Sequence, residues 1–141
     1  MVMLMLLLLG GVYAQQQGNI VPDNRLYSRY LSDDINSMLI NSPQDVKYWN
    51  WYLDNGYVVK QTSPVLAQKF PPLRFFDKDT KLPAEEEVAY NEAYFNIMAY
   101  DIDIQVDKTI TYRIGDTGYI VNVLPSSKLV EKYNKFLQNE Q

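Results

Sequence analysis

The spacing of apolar positions predicts a short helix early in the chain. Ser32 is followed by two aspartates, and acidic residues in a first turn are favoured by the dipole of a helix. Three apolar residues then recur at helical spacing, namely Ile35, Met38 and Leu39. We therefore predict a helix of about two turns that begins at Ser32.

A second helix follows, and its signals are stronger. Ser42 belongs to the residue types that cap helices, and Pro43 suits the first helical position. A glycine at position 56 is typical of a C-terminal stop. We predict a helix over residues 43–54. The apolar face expected to be buried consists of Val46, Trp49, Leu53 and Tyr52.

Four stretches have the composition or the alternation of β-strands. Residues 57–62 are rich in β-branched and aromatic types, and apolar residues alternate with polar ones over 102–106. Residues 109–114 and 119–124 flank a Gly-Asp-Thr-Gly sequence at 115–118, whose glycines can adopt positive φ. These two stretches therefore predict a hairpin, and the short turns favour antiparallel pairing.

The remaining elements complete the predicted fold. Four prolines within residues 63–83 predict an extended connection. Residues 128–137 predict a C-terminal helix, which Ser126 or Ser127 would cap. Its apolar face carries Leu129, Val130, Tyr133, Phe136 and Leu137. The sequence thus predicts an α+β fold: an antiparallel sheet of about four strands with N-terminal helices and a C-terminal covering helix.

The start of the chain is typical of a secretory signal peptide. Residues 1–14 carry no charge, and their apolar run is followed by glycines and by small residues suited to cleavage. The run is much shorter than the roughly 20 apolar residues that cross a bilayer. We predict a signal peptide over 1–14, a flexible leader over 15–24 and a single domain over 25–141. The protein is then exported, to the periplasm or to the outer membrane surface, with no membrane span of its own.

Composition excludes most recurring enzyme chemistry. The 141 residues include no histidine and no cysteine, which excludes imidazole catalysis, thiol nucleophiles, disulfides and Cys/His zinc sites. The formal net charge of −4 provides no basic excess, so we expect no nucleic-acid partner. We therefore expect a protein that is not an enzyme and that holds no cofactor.

Two short acidic motifs have alternative interpretations. The triplet at Asp116 resembles the catalytic loop of aspartic proteases, in which two such carboxylates share a proton across a dimer. A hairpin turn explains the same residues without further assumption. Three aspartates, Asp101, Asp103 and Asp107, lack the glycine and the bidentate glutamate of a calcium-binding EF-hand loop, so we expect no metal site.

Aromatic residues make up 13% of the chain and are the most unusual feature of its composition. Those on the second helix cannot all face one core, because Trp49 and Tyr52 share a side while Tyr48 and Trp51 lie elsewhere. Either they pack beneath the proline-rich segment, or they form a surface for a partner or a sugar. The candidate partner-binding residues are Tyr48, Trp49, Trp51, Tyr52, Phe70, Phe75 and Phe76.

Three stretches, at 19–25, 45–55 and 112–118, together resemble small exported proteins of Bacteroidota. Some of these proteins look like accessory parts of the type IX secretion and gliding machinery. The resemblance implies a non-enzymatic accessory or scaffold protein that docks on an envelope complex, and it implies no catalytic residues. Two alternatives stay open: a small carbohydrate- or peptidoglycan-binding module that stacks sugars on Trp and Tyr, and a dimeric aspartic protease acting through Asp116. The sequence leaves the oligomeric state undetermined.

Overall fold

A computed structural model describes residues 20–84 and 88–140, and the structural statements below concern this part of the chain. It contains helices and an antiparallel sheet, so the predicted α+β class is confirmed. The helices are α1 (Ser32–Asn41), α2 (Pro43–Asn55), α3 (Pro64–Ala67) and α4 (Ser126–Asn139). The strands are β1 (Tyr57–Gln61), β2 (Phe76–Asp77), β3 (Leu82–Pro83), β4 (Ile110–Ile114) and β5 (Tyr119–Val123). Short 3₁₀ helices span Asn24–Ser28, Glu92–Tyr94 and Ile97–Ala99.

The two N-terminal helices form where the sequence predicts them. Helix α2 has Pro43 at its start and ends before Gly56. Ser42 occupies the position before α2, but its side chain makes no capping hydrogen bond. The first turn instead uses the fixed φ of Pro43 and a 2.9 Å hydrogen bond from the Asp45 N–H to the Ser42 carbonyl.

Strands β1, β5 and β4 form one antiparallel sheet, with β5 in the centre. The predicted hairpin joins β4 to β5, and in its turn Gly115 and Gly118 have φ of 53° and 81°. Residues with a Cβ adopt such values only at a cost, which explains the two glycines. Strands β2 and β3 pair separately as a two-stranded ribbon. The main sheet therefore has three strands, and the ribbon lies within the predicted connection.

The hydrophobic core lies between the helices and one face of the three-stranded sheet. Burying a large apolar side chain stabilises a fold by roughly 1.5–3 kcal/mol. Because the chain has no cysteine, this burial stabilises the fold without disulfides. The largest fully buried side chains are Tyr52, Leu26, Ile35, Leu53, Ile97, Met98, Ile114, Leu129, Val46, Val121 and Val123.

The strand predicted at 102–106 does not form, so this prediction was wrong. The N–H of Asp101 donates to the Arg74 carbonyl at 2.8 Å. The N–H of Asp103 donates to the hydroxyl of Tyr112 at 2.9 Å. A strand needs one continuous neighbour, whereas this segment bonds to different parts of the chain in turn. Its alternating isoleucines instead reflect one side that packs against the core.

Helix α4 begins earlier than predicted, and its serines do not cap it. A proline precedes the helix, and no side chain makes a capping bond. The N–H groups of Ser126 and Ser127 donate to the carbonyls of Gln105 and Val106, at 2.8 and 3.1 Å. The irregular segment thus satisfies free donors at the start of α4. The predicted burial of Val130 was also wrong, since this side chain is 58% exposed.

The proline-rich stretch 63–83 is only partly extended. Ser63 caps α3, because its hydroxyl accepts a hydrogen bond from the Leu66 N–H at 3.1 Å. Residues 71–73 lie beside β4, where they exchange two backbone hydrogen bonds with Arg113, of 2.8 and 2.9 Å. The prolines therefore accompany a short helix and a segment that partly covers one edge of the sheet.

The predicted signal peptide at 1–14 and the first part of the leader, 15–19, lie outside the described residues. The last residues of the leader, 20–24, run into the first 3₁₀ helix. Within the described ranges, none of the helices has both the length and the hydropathy that crossing a bilayer requires.

Gly56 is required because the ring of Tyr52 lies against it. A Cβ at position 56 would lie 2.2 Å from Cε2 of Tyr52, which is fully buried. We expect Gly56→Ala to lower the free energy of unfolding in urea by about 2–3 kcal/mol. The control is the same change in a Tyr52→Leu background, where the alanine should cost less. An equal cost in both backgrounds would contradict the clash.

Candidate functional site

Two aromatic residues of α2, Tyr48 and Trp51, pack against helix α4. The ring of Tyr48 lies 5.1 Å from that of Tyr133, and the ring of Trp51 lies 5.2 Å from Tyr133 and 6.3 Å from Phe136. Trp51 is only 9% exposed, so it lies beneath another part of the chain and does not form an exposed surface. The C-terminal helix, not the proline-rich segment, covers these aromatics.

Burial divides the four predicted residues of α2 into two pairs. Tyr52 and Trp51 are buried, whereas Tyr48 and Trp49 are half-buried. The ring of Trp49 contacts Tyr48 and Tyr52 edge-on, with centroids 5.2 and 5.1 Å away. Tyr48 and Trp49 therefore retain more exposed surface than Trp51 and Tyr52.

The three phenylalanines of the proline-rich segment are half-buried and lie elsewhere. The ring of Phe75 packs against Tyr100 at 5.2 Å, and the guanidinium of Arg29 lies 4.6 Å from the ring of Phe76. The carbonyl of Phe70 accepts a hydrogen bond from Arg113 Nη1 at 2.8 Å. Among the described residues, none of these rings pairs with an aromatic of α2. The structure thus does not bring the seven predicted residues together in one ring cluster.

A groove of about 950 Å³ lies along the side of α2 that faces α4. Trp51 provides apolar surface there, together with Phe136 and Leu137 from the end of α4. The salt bridge between Lys47 and Glu140, 2.6 Å long, joins the two helices beside it. The complete lining comprises Ile20, Val21, Gln44, Lys47, Asn50, Trp51, Asp54, Asn55, Phe136, Leu137 and Glu140.

One amide side chain attaches the end of the leader to this groove. Asn50 Nδ2 donates to the Val21 carbonyl at 2.8 Å, and Asn50 Oδ1 accepts from the Asp23 N–H at 2.9 Å. These two bonds hold the backbone, while the side chain of Val21 stays 76% exposed at the groove. The sequence does not reveal this contact, because the partners are 27 and 29 residues apart.

A charged triad continues from the leader to the end of α2. Arg25 donates to Asp23 at 2.9 Å and to Asp54 at 2.8 Å. The hydrogen bonds that Arg25 donates to Asp23 and then to Asp54 raise the pKa of Arg25, and the bond from Arg25 lowers the pKa of Asp23. The ion pairs are partly solvated, so they contribute modestly to stability but fix the position of the first 3₁₀ helix.

Arg25 and Asp54 also border a second, more polar cavity of about 620 Å³. Tyr94 lies at this cavity and is 83% exposed, among the most exposed large apolar or aromatic side chains in the described chain. Tyr57 and Phe95 add aromatic surface. Its polar lining consists of Asn24, Arg25, Ser28, Asp54, Glu92 and Asn96. The sequence analysis missed this cavity, since its residues are scattered and follow no periodic pattern.

The aspartates of the two acidic motifs are exposed, except Asp101, which is half-buried. Asp116 is exposed in the β4–β5 turn, where its carboxylate accepts a hydrogen bond from Gln68 Nε2 at 3.3 Å. The hydroxyl of Thr117 donates to the Ile114 carbonyl at 2.6 Å and tightens the same turn. Within the described ranges, no group of three or more acidic side chains is positioned to hold a metal ion.

Tyrosine ionisation makes stability sensitive to alkaline pH. Burial raises the pKa of Tyr52 far above its usual range, and Tyr52 Oη has no hydrogen-bond partner among the described residues. Burial also raises the pKa of Tyr48, Tyr57 and Tyr100. The folded protein therefore keeps tyrosine protons that the unfolded chain loses above about pH 10.

We expect the free energy of unfolding to fall as the pH rises above about 10, by at most about 1.4 kcal/mol per pH unit for each such tyrosine. Tyr52→Phe should make this decline shallower. At neutral pH the same variant should unfold with a free energy about 1 kcal/mol higher, because it removes an unpaired buried hydroxyl. Denaturation in urea between pH 7 and 11 measures both effects. An unchanged slope above pH 10 would contradict the role of Tyr52.

No protein-family model, no curated protein and no solved structure matches the chain.

Proposed function

We propose that the protein is an exported, non-enzymatic accessory protein that docks on a protein complex of the cell envelope. The observation that carries the proposal is the groove between α2, α4 and residues 20–21. The signal-like segment at 1–14 and the resemblance to envelope proteins of Bacteroidota support the location. The partner complex belongs to a secretion or motility system.

The groove has the composition of a docking surface for a protein. Interfaces combine an apolar centre with a polar rim, and aromatic residues carry much of their binding energy. Phe136 and Leu137, with the small exposed part of Trp51, supply the apolar centre here, while amides and the Lys47–Glu140 pair supply the rim. Because two helices and the attached leader build it, a partner would meet a preorganised surface and would lose little binding energy to ordering.

Two exposed valines of nearly equal exposure allow a matched test. Val21 lies at the groove and is 76% exposed, whereas Val65 lies on α3 and is 79% exposed. Val21→Asp places a carboxylate beside the apolar centre, where desolvation opposes docking. We expect it to lower capture of the envelope complex by the purified protein at least about tenfold. Val65→Asp should leave capture unchanged.

The capture experiment uses native envelope extract, with the captured proteins identified and quantified by mass spectrometry. Both variants should keep the thermal midpoint of the parent, since neither side chain belongs to the core. Equal capture by the parent and Val21→Asp would contradict docking through the groove. The absence of any specific partner for the parent protein would refute the proposed function.

A carbohydrate- or peptidoglycan-binding module is the second candidate function. The polar cavity favours it, because an exposed tyrosine lies beside amides and carboxylates that could bind hydroxyl groups. A tyrosine ring offers a flat apolar face with a polar end. In this case Tyr94 is the stacking residue, and Asn24 and Glu92 are the polar contacts.

Titration calorimetry with soluble peptidoglycan fragments and chitin oligosaccharides tests the second candidate. Tyr94→Ala should weaken sugar binding at least about tenfold, because it removes the exposed ring and little core packing. Val21→Asp, at the other site, should bind the sugars like the parent protein. If no sugar of the panel releases or absorbs heat on mixing, the carbohydrate function is wrong, and the docking proposal is unaffected.

A further inference from the structure

The outer edge of β1 carries a row of backbone groups that the sheet does not use. In an antiparallel pair, residues alternate between those that bond to the neighbouring strand and those that point away from it. The Thr62 N–H donates to the Gly118 carbonyl at 2.7 Å, and the Leu124 N–H donates to the Gly56 carbonyl at 3.0 Å. Together with the register of β1 and β5, these two hydrogen bonds show that the backbone groups of Val58 and Lys60 point toward β5 and bond to it.

The N–H and carbonyl groups of Tyr57, Val59 and Gln61 therefore point outward from the sheet. No backbone hydrogen bond to these groups on the outer side is present in the described ranges. β1 thus offers up to six free hydrogen-bonding groups, two from each of the three residues, in the geometry that an added strand requires.

Strand β4 forms the opposite edge of the sheet and shows the same alternation of backbone groups. Unlike β1, it is partly covered by another part of the chain. By the same alternation, the backbone groups of Arg113 in β4 point outward from the sheet. They bond to residues 71–73, at 2.8 and 2.9 Å. The chain therefore supplies its own neighbour to β4 and leaves β1 open within the described part.

The side chains beside this open edge are those of Lys60, which is cationic, and Val58, which is apolar. The register aligns Lys60 with Ile120 and Arg113 across the outer face of the sheet, but Arg113 lies at the opposite edge, where its Nη1 donates to the Phe70 carbonyl. The remaining residues of that face, Val58, Asn122 and Thr111, carry no charge. No acidic residue of the strands faces this side, although the whole chain has a net charge of −4. Val58 is 40% exposed at the edge and offers apolar contact.

We propose that the β1 edge binds an extended segment of the partner protein as a fourth strand, with an acidic side chain of that segment beside Lys60. The inference rests on the proposed docking function, since it names the segment by which the partner is held. Main-chain hydrogen bonds supply the affinity, and the pairing of a carboxylate with Lys60 selects the sequence.

Charge argues against a second copy of this chain as the occupant. Two β1 strands that pair across a two-fold axis would place both Lys60 side chains on the same face and near each other. Like charges in this arrangement are destabilising, and lysine on an edge strand opposes self-association. A carboxylate on a segment of another protein is instead attracted to the ammonium group of Lys60.

Hydrogen exchange with synthetic peptides tests the proposal without the envelope complex. The probes are two peptides of about seven residues with capped ends, one alternating valine with glutamate and one alternating valine with lysine. We expect the glutamate peptide to slow exchange of the Tyr57, Val59 and Gln61 amides at least about tenfold at saturation. The amides of Val58 and Lys60, which already bond within the sheet, should change little.

Three variants assign the effect to the edge and to its charge. Gln61→Pro removes an outward N–H without breaking a bond of the sheet, and should weaken glutamate-peptide binding at least about tenfold. Gln61→Ala is its matched control and should bind like the parent protein. Lys60→Glu should reverse the preference between the two peptides. Circular dichroism of each variant checks that the fold is retained.

Each result of these experiments tests a different part of the proposal. Unchanged exchange of the three amides with the glutamate peptide overturns the strand-addition proposal, and equal protection by both peptides overturns the role of Lys60. A dimer of the free protein that Gln61→Pro dissociates would make a second copy the occupant, and so overturn the proposed partner. None of these results depends on envelope capture, so a failure of the docking function is recognised separately.

Discussion

The packing of α2 against the main core on one side and against helix α4 on another is the interaction on which the rest of the structure depends. One side of this helix buries Val46 and Leu53 in the main core, and another side carries Trp51 against the aromatic residues of α4. A chain without cysteine has no covalent constraint to hold these parts together. The same contacts also position the leader, because Asn50 projects from the helix to the backbone of residues 21 and 23. Loss of α2 would therefore remove the core, the groove and the anchored leader together.

The candidate sites arise where this packing is incomplete. Helix α4 approaches α2 closely at Tyr133, and near Phe136 the space between the two helices becomes the groove. The sheet shows the same principle, since one edge is partly covered by residues 71–73 and the other edge is left open. A small domain has few elements with which to cover its surfaces, so the uncovered places are informative. Here they are an apolar groove, a polar cavity and a strand edge, which would suit different kinds of contact.

Local signals in the sequence predicted those elements whose cause is local. Pro43 and Gly56 delimit α2, and the glycines at 115 and 118 specify the hairpin, because each acts on its own backbone. The segment 102–106 shows the limit of such reasoning: its alternation is real, but pairing depends on which strand is available as a neighbour. The sequence left open whether Trp51 is buried and named the proline-rich segment as its cover, whereas the cover is α4, about 80 residues later. The groove and the polar cavity join residues from distant parts of the chain, so the sequence suggested one aromatic member of the groove, Trp51, and none of the polar cavity.

The anchored leader and the end of α4 meet at the same place, which matters for handling the protein. Ile20 and Glu140 both line the groove, so the first and last described residues lie on one side of the molecule. A purification tag or a fluorescent label fused next to either residue would be held beside the proposed docking surface and would compete with a partner for it. The exposed turn at Asp79 and Thr80, between β2 and β3, is a site of attachment outside both cavity linings. A tag at either end would therefore block binding at the groove, so binding should be measured with untagged protein or with a tag in the β2–β3 turn.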